Sequence, residues 1–332
     1  VSRSGDLAAA LAQLVTARLP GARGITGLRR LSGGASQETW SFDATTDAGP
    51  LELILRRRPG GVSGPSESGM ALPLETEARL IRLAGGIGVP VPEVRLVLDP
   101  EDGLGSGYVM QRLAGETIPR RILRDDAFSA TRPRLARQCG EILARIHAAP
   151  SRDLPELPLA SAPTQVGQYR ALYDAYDHPH PVFELALRWL EDRAQEPPRV
   201  TLVHGDFRNG NLLIDPDGVR GVLDWELAHR GDPMEDLGWI CVNSWRFGEI
   251  DRPVGGFGSR EELFAGYAAA GGAEVDAERV RYWEILGTLK WGIMCMTMVA
   301  IFESGADRSV ERAAIGRRSS ETEIDLLELL AG

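Results

Sequence analysis

Two apolar runs, Leu202-Val203 and Leu212-Leu213-Ile214, bracket the segment that most constrains this chain: His204-Gly205-Asp206, then Asn211 five residues after the carboxylate. Gly205 and Gly210 suit a tight loop that feeds directly into the apolar strand after Asn211. The turn Asp215-Pro216-Asp217-Gly218 sends the chain back through a second apolar run, residues 219–223, which ends in another carboxylate, Asp224. A fold that accepts this pattern holds two carboxylates and a carboxamide around one point. Phosphoryl transfer uses such a set: one Asp to orient and deprotonate the attacking hydroxyl, an Asn and a second Asp to hold Mg²⁺ on the nucleotide phosphates. Asp206 is therefore the candidate base. Asn211 and Asp224 are the candidate metal ligands, hard oxygen donors of the kind that suit Mg²⁺. The expected nucleotide is ATP or GTP and the expected acceptor is a small-molecule hydroxyl.

Composition narrows the surroundings of such a site. With 332 residues, 43% of them hydrophobic, the chain can bury a sizeable core. A net charge of −10 argues against nucleic acid as a partner, because a phosphate backbone calls for a basic face. Cys139, Cys241 and Cys295 lie far apart with no C-x-x-C pair, which suggests neither a disulfide framework nor a zinc site and fits a reduced, cytoplasmic setting. The N-terminal stretch lacks the layout of a signal peptide. The most apolar run, residues 293–302, is too short to span a bilayer and reads as a buried core helix, so no membrane partner is expected. Nothing in the composition speaks to oligomeric state.

Apolar periodicity divides the chain. A helix is expected over 6–19, then strands over 25–31, 39–44 and 51–57, a helix over 74–83, and strands over 94–98 and 108–113. One helix inserted after the third strand is the order of a kinase-like small lobe. From Arg132 the pattern turns helical, with Pro133 at a helix start and further helices at 164–176, 181–194, 261–270, 277–302 and 321–330. The expectation is an α+β, two-lobed fold with a small mixed β-sheet N-lobe, residues 1–112, and a mainly helical C-lobe, residues 113–332. Residues 59–73 and 247–259, rich in Gly, Pro and Ser, read as mobile loops.

Lys290 is the only lysine in the chain, so the phosphate-contacting lysine that kinases carry on an early strand has no counterpart in type. Arg56 is the candidate stand-in. Residues two apart on a strand share a face, which puts Ile54 beside Arg56 where adenine packing and phosphate contact belong. A solvated strand end is the simpler reading of Arg56-Arg57-Arg58. Glu77 on the next helix is the expected carboxylate partner of Arg56, with Glu75 as competitor. Ser32-Gly33-Gly34-Ala35-Ser36 joins the first two strands and would let backbone N–H groups approach phosphate oxygens, although a glycine hairpin needs no ligand. His204 is expected to orient its loop without exchanging a proton. Asp232 and Asp236 are expected to cap a helix and brace the loop, and Trp225 to serve packing. Lys290, a lone lysine in an apolar helix, is expected to reach the surface along its own stem, the alternative being that it meets an anionic group in the cleft.

The runs His204-Gly205-Asp206-Phe207 with Gly210-Asn211, Val222-Leu223-Asp224-Trp225-Glu226, and Gly231-Asp232-Pro233 with Asp236-Leu237 resemble the aminoglycoside phosphotransferase and choline kinase-like superfamily. Leu31 to Ser36 and Leu53 to Pro59 look closest to its branch related to domains fused with acyl-CoA dehydrogenases, in which arginine tends to replace the nucleotide lysine. The resemblance implies a protein-kinase-like fold, with Asp206 as base, Asn211 and Asp224 on Mg²⁺, and Met110 through Arg112 to Leu113 as the connection that meets adenine. It implies transfer to a hydroxyl but leaves the acceptor open among aminoglycosides, choline, sugars, amino-acid alcohols and hydroxyacyl thioesters. The acidic balance suits a cationic acceptor, whereas Arg120, Arg121 and Arg124, or Arg317 and Arg318, would suit an anionic one. Two other readings stand beside it. The absent lysine motivates a nucleotide-binding pseudokinase or scaffold. A protein kinase is disfavoured by the His-Gly-Asp loop and by the lack of an Ala-Pro-Glu segment after Asp224.

Overall fold

A computed structural model of the chain describes residues 2–33, 37–59, 71–176, 178–306 and 308–331. Helix α1 (Ser2–Arg18) leads into β1 (Ala22–Gly33), β2 (Glu38–Thr46) and β3 (Gly49–Arg58). Helix α2 (Leu74–Gly86), β4 (Val94–Val97) and β5 (Ser106–Gln111) follow. The five strands form one sheet in the order β1-β2-β3-β5-β4. Every pairing in it is antiparallel, where a mixed sheet was expected. The connection through α2 carries the chain past β3, and the β4–β5 hairpin then folds back into the gap, which reverses each neighbour.

Strand alternation gives this sheet two different faces. Leu7, Leu11, Leu14 and Val15 recur at helical spacing along α1 and pack on Phe42, Ala44, Leu53, Leu55 and Val109. Ile54, Arg56, Tyr108 and Met110 point the other way, through the register pairs Ile54 with Met110 and Arg56 with Tyr108. Tyr108 joins a second, larger core that takes in the buried side of α2 and runs through the helical remainder.

That remainder holds α3 (Pro119–Arg124), α4 (Arg132–His147), α5 (Ala162–Asp174) and α6 (Pro181–Arg193). The short strands β6 (Thr201–Val203), β7 (Leu212–Asp215), β8 (Gly218–Val222) and β9 (His229–Gly231) come next, then α7 (Met234–Trp239), α8 (Arg260–Ala269), α9 (Ala277–Glu303), α10 (Val310–Gly316) and α11 (Ser319–Ala331). β7 and β8 form the hairpin expected after Asn211, and β6 pairs with β9. Helix α4 crosses α8 at backbone contact, because Gly140 and Gly266 have no Cβ to keep them apart; a Cβ at Gly140 would lie 2.6 Å from the Tyr267 nitrogen. At 27 residues, α9 is long and apolar enough to cross a membrane, longer than the apolar run suggested, and 56% of its most apolar stretch is buried inside the protein. It packs against α6, α7, α10 and α11.

Two loop expectations come out differently. Residues 60–70 of the first loop lie outside the described residues. The second is packed only in its later half: Phe247 and Ile250 are exposed, whereas Val254 to Gly258 are buried, with Phe257 1% exposed. Asn209 Nδ2 donates to the Gly255 carbonyl at 2.8 Å, which ties this segment beneath the loop that carries Asp206.

Candidate active site

The loop from His204 to Asn211 is shaped by backbone geometry first. Gly205 takes a left-handed conformation (φ 78°), and a Cβ there would meet the Leu227 carbonyl oxygen at 2.5 Å. Its N–H groups are anchored from below by Asp236, whose carboxylate accepts from His204 N at 2.8 Å and Gly205 N at 3.0 Å. His147, from the last turn of α4, lies 3.0 Å from the same carboxylate and 2.9 Å from the Tyr267 hydroxyl. Burial alone would push the Asp236 carboxyl up, but His147 and the His204 N–H hold it below the ordinary range. Asp232 accepts from Met234 N at 3.0 Å and from Trp283 Nε1 at 2.9 Å, and it pairs with Arg279.

His204 works as a strut. Its Nδ1 accepts from Asp206 N at 3.2 Å, so the proton sits on Nε2, which donates to the Leu223 carbonyl at 3.2 Å. Burial pushes its pKa down, against the pull of Asp236, Asp206 and Asp224, so the ring is neutral near pH 7. A second tie runs from Leu223 N to the Asn211 carbonyl at 2.9 Å. Loop and hairpin end are thereby locked together just before Asp224.

The Asp206 carboxylate is held by three donors. Arg208 Nε at 3.0 Å and Trp239 Nε1 at 2.8 Å donate to Oδ1, and Asn211 Nδ2 at 2.6 Å donates to Oδ2. A carboxylate offers about four acceptor positions, so one remains, on Oδ2. Asn211 spends its amide donor on Asp206, which leaves its Oδ1 for a cation. The Arg208 guanidinium stacks on Trp245 with its carbon 4.5 Å from the ring centroid.

Asp224 ends the hairpin with φ 65°, a left-handed conformation uncommon outside glycine and tolerated by Asp. Across from it, Arg56 reaches over from β3. Its guanidinium lies 2.7 Å from Asp224 Oδ1, 3.2 Å from Glu226 Oε2 and 3.5 Å from Glu77 Oε1. Gln37 links Arg56 Nε and Glu226 with two hydrogen bonds of 3.2 Å. Three carboxylates thus converge on one guanidinium. Burial, then repulsion from Asp224, pushes the Glu226 carboxyl up. Burial pushes Glu77, 0% exposed, up to about 7, in spite of Arg56. Among the described residues neither Glu77 oxygen accepts a hydrogen bond at ordinary geometry, and the Tyr108 phenol beside it is pushed up by its own burial. The excess of carboxylate over cation makes this corner a place for added positive charge.

The structure therefore brings Asp206, Asn211 and Asp224 together with Arg56 and Glu77, and it leaves Glu75 off that guanidinium. Ile54 and Met110 sit side by side on the same sheet face. Ser32 and Gly33 end β1, while Gly34, Ala35 and Ser36 lie outside the described residues. Arg112 turns its guanidinium to Ser41 Oγ at 2.6 Å, Asp43 Oδ1 at 2.8 Å and Glu52, so that side chain is committed within the sheet. Trp225 is fully buried, as packing requires. Lys290, expected at the surface, is 6% exposed, with its Nζ 4.7 Å over the Trp239 ring. Gln37, Arg208, Glu226 and Trp239 were not read from the sequence as parts of the site, and Lys290 only as the alternative to a surface lysine. Only Arg208, a cation two residues from the candidate base, carried a local signal.

No group of three or more His, Cys, Asp or Glu among the described residues forms a ready-made metal cage. Mg²⁺ needs none, because it is commonly held by one or two protein oxygens together with phosphate oxygens and water. Asn211 Oδ1, Asp224 and Glu226 supply hard oxygen donors of that kind, so the residues present fit the ion.

Comparison with known proteins places these features in a family. The sequence profile of the phosphotransferase enzyme family matches residues 27–276. Acyl-CoA dehydrogenase family member 10 of Mus musculus is 31% identical over 205 residues, 58% of this chain and 18% of that protein. Family member 11 of Gallus gallus is 30% identical over 230 residues, 65% of this chain and 28% of that protein. The chain thus spans under a third of the length of these relatives. Among solved structures, a candidate aminoglycoside phosphotransferase of Ralstonia eutropha superposes with a TM-score of 0.73 at 19% identity, covering 97% of both chains. A choline/ethanolamine kinase family protein of Mesorhizobium loti gives 0.63 at 21% identity, covering 98% of this chain and 95% of that one. A spectinomycin phosphotransferase, solved with ADP and spectinomycin, gives 0.61 at 14% identity, covering 95% and 96%. These likenesses establish a protein-kinase-like fold.

Proposed function

The chain belongs to the phosphotransferase enzyme family, and from that premise we propose that it transfers the γ-phosphoryl group of ATP or GTP to a hydroxyl of a small molecule. The observation that carries this reading is the meeting of Asp206, Asn211 and Asp224 with Arg56. Asp206 receives the hydroxyl proton at its free Oδ2 position while the acceptor oxygen attacks the γ-phosphorus. The bond to the β,γ-bridging oxygen breaks, and the nucleoside diphosphate leaves. Mg²⁺, held by Asn211 and Asp224 with Glu226 beside them, would offset the charge on the phosphates. Arg56 turns from Asp224 and Glu226 to the phosphates, with its Nη1 remaining beside Glu77. Residues 1–112 serve as the nucleotide lobe, with Ile54 and the backbone of Met110 to Leu113 around the base; the glycine run Ser32 to Ser36, of which 34–36 lie outside the described residues, is the segment assigned to the phosphates by its sequence. Residues 113–332 carry the catalytic loop and the acceptor site. Three free, buried cysteines fit a reducing, cytoplasmic setting.

The test is Mg²⁺-dependent ADP or GDP release with aminoglycosides, choline, sugars and hydroxyacyl thioesters as acceptors. Asp206→Asn is expected to retain nucleotide binding and lose about 10²–10⁴-fold in turnover. Wild-type turnover by that variant would refute the assigned base. One observation favours a second reading, a nucleotide-binding pseudokinase: Arg56 is already paired with Asp224 and Glu226. Nucleotide binding without release of diphosphate for any acceptor would select it.

A further inference from the structure

A buried ammonium is costly unless something offsets its lost hydration. Lys290 lies in the middle of α9, 6% exposed, and among the described residues it forms no ion pair. Its Nζ sits on the face of Trp239, and the Tyr169 hydroxyl from α5 lies against it. Glu235, Asp206 and Asp236 are the carboxylates near enough to favour its charged form over the opposing effect of burial. Each of them already has partners of its own. Glu235 takes His229 Nε2 at 3.0 Å and Gln165 Nε2 at 2.7 Å, Asp236 takes His147 and two backbone N–H groups, and Asp206 takes three donors.

Trp239 connects this ammonium to the chemistry. Its indole N–H holds Asp206 Oδ1 at 2.8 Å while its ring carries Lys290. A charge with no committed counter-ion therefore stands one indole ring from the base that receives the acceptor hydroxyl. The neighbouring donors point to the same sign of ligand: Arg208 stacks on Trp245 beside Asp206, and the buried Trp245 and Trp291 Nε1 atoms have no acceptor among the described residues. One ammonium and one phenol supply the donors that match a monoanion with two acceptor oxygens. A phosphate dianion would call for a guanidinium fork or several backbone N–H groups.

Resting on the phosphotransferase reading above, we propose that Lys290 and Tyr169 form the acceptor subsite for a carboxylate, so that the hydroxyl phosphorylated at Asp206 belongs to a small hydroxy acid. The carboxylate and hydroxyl then sit a few bonds apart, one against Lys290 and the other against Asp206 Oδ2, with Trp239 as the wall between them.

The experiment uses the full chain and matched pairs of aliphatic hydroxy acids, from glycolate to hydroxyoctanoate, with the amide of each. Binding is followed by tryptophan fluorescence and calorimetry with Mg²⁺ and a non-hydrolysable nucleotide, and turnover by ADP release. The wild type is expected to prefer acid over amide. Lys290→Met should weaken the acid by about 10- to 100-fold, the loss of one charge-assisted hydrogen bond, and leave the amide and the nucleotide unmoved. Tyr169→Phe, which keeps the ring and its packing, should move the same ratio in the same direction by a few-fold and carries the test where Lys290→Met does not fold. Equal effects on acid and amide would make Lys290 a structural counter-ion and overturn the proposal, as would an absence of preference for any acid. Lys290-dependent acid binding without ADP release would uphold the subsite and remove the kinase reading.

Discussion

Replacing Glu77 with Gln tests the electrostatic account of the nucleotide corner in isolation. Glu77 is fully buried, its nearest cation is Arg56 at 3.5 Å, and that guanidinium lies closer to Asp224 and Glu226. Burial therefore outweighs attraction, and the carboxyl rises from an ordinary 4.5 to about 7. That displacement corresponds to about 3 kcal/mol at roughly 1.4 kcal/mol per pH unit. Because the folded-state value is raised, the folded protein keeps the proton that the unfolded chain releases. The stabilisation is complete below pH 4.5 and is lost as the pH rises through about 7. Gln cannot ionise, so Glu77→Gln should gain about 3 kcal/mol relative to wild type between about pH 4.5 and pH 8. Urea denaturation of both proteins across that range, without nucleotide, measures the change in their difference. The comparison cancels what Gln changes at low pH and most of what His204 and His229 contribute. Glu226, raised in part by Asp224, acts with the same sign. Two stability curves that run parallel within about 0.5 kcal/mol would refute the reasoning, since Glu77 would then ionise normally in the folded state.

Three further outcomes follow from the same geometry. Asp224→Ala should abolish the Mg²⁺ dependence of nucleotide binding, measured by titrating a fluorescent nucleotide with and without the ion; an unchanged Mg²⁺ dependence would remove Asp224 from the metal site. Trp239→Phe keeps the ring beneath Lys290 but deletes the donor to Asp206 Oδ1, and loss of a hydrogen bond to a charged group, about 1.5–3 kcal/mol, predicts roughly 10- to 100-fold lower turnover with nucleotide affinity intact. Gly140→Ala would drive a methyl group into the backbone of α8. It should lower stability by about 1–3 kcal/mol or more in a urea titration, whereas an unchanged midpoint would mean that α4 and α8 can separate freely.

The sequence by itself determined what local spacing controls. Asp206 and Asn211 share one loop, Asp224 ends the next hairpin, and residues two apart put Ile54 and Arg56 on one sheet face, so these placements follow from strand period and turn chemistry. Helix and strand order was legible for the same reason, apart from short elements such as α3, β6, β9 and α10, whose few residues give periodicity too little to repeat. The tertiary structure decided what depends on side chains far apart in the chain. Arg56 and Asp224 stand 168 positions apart, and no local pattern tells a strand arginine that it will meet three carboxylates there. Arg112 shows the converse, a residue that the family resemblance put at the nucleotide yet whose side chain is taken by Asp43 and Glu52 across the sheet. Lys290 was expected to snorkel because long cationic stems usually reach water. It is buried because packing sets Trp239, Tyr169 and the carboxylates of another part of the chain around it, and only that arrangement makes a low-dielectric home for an ammonium.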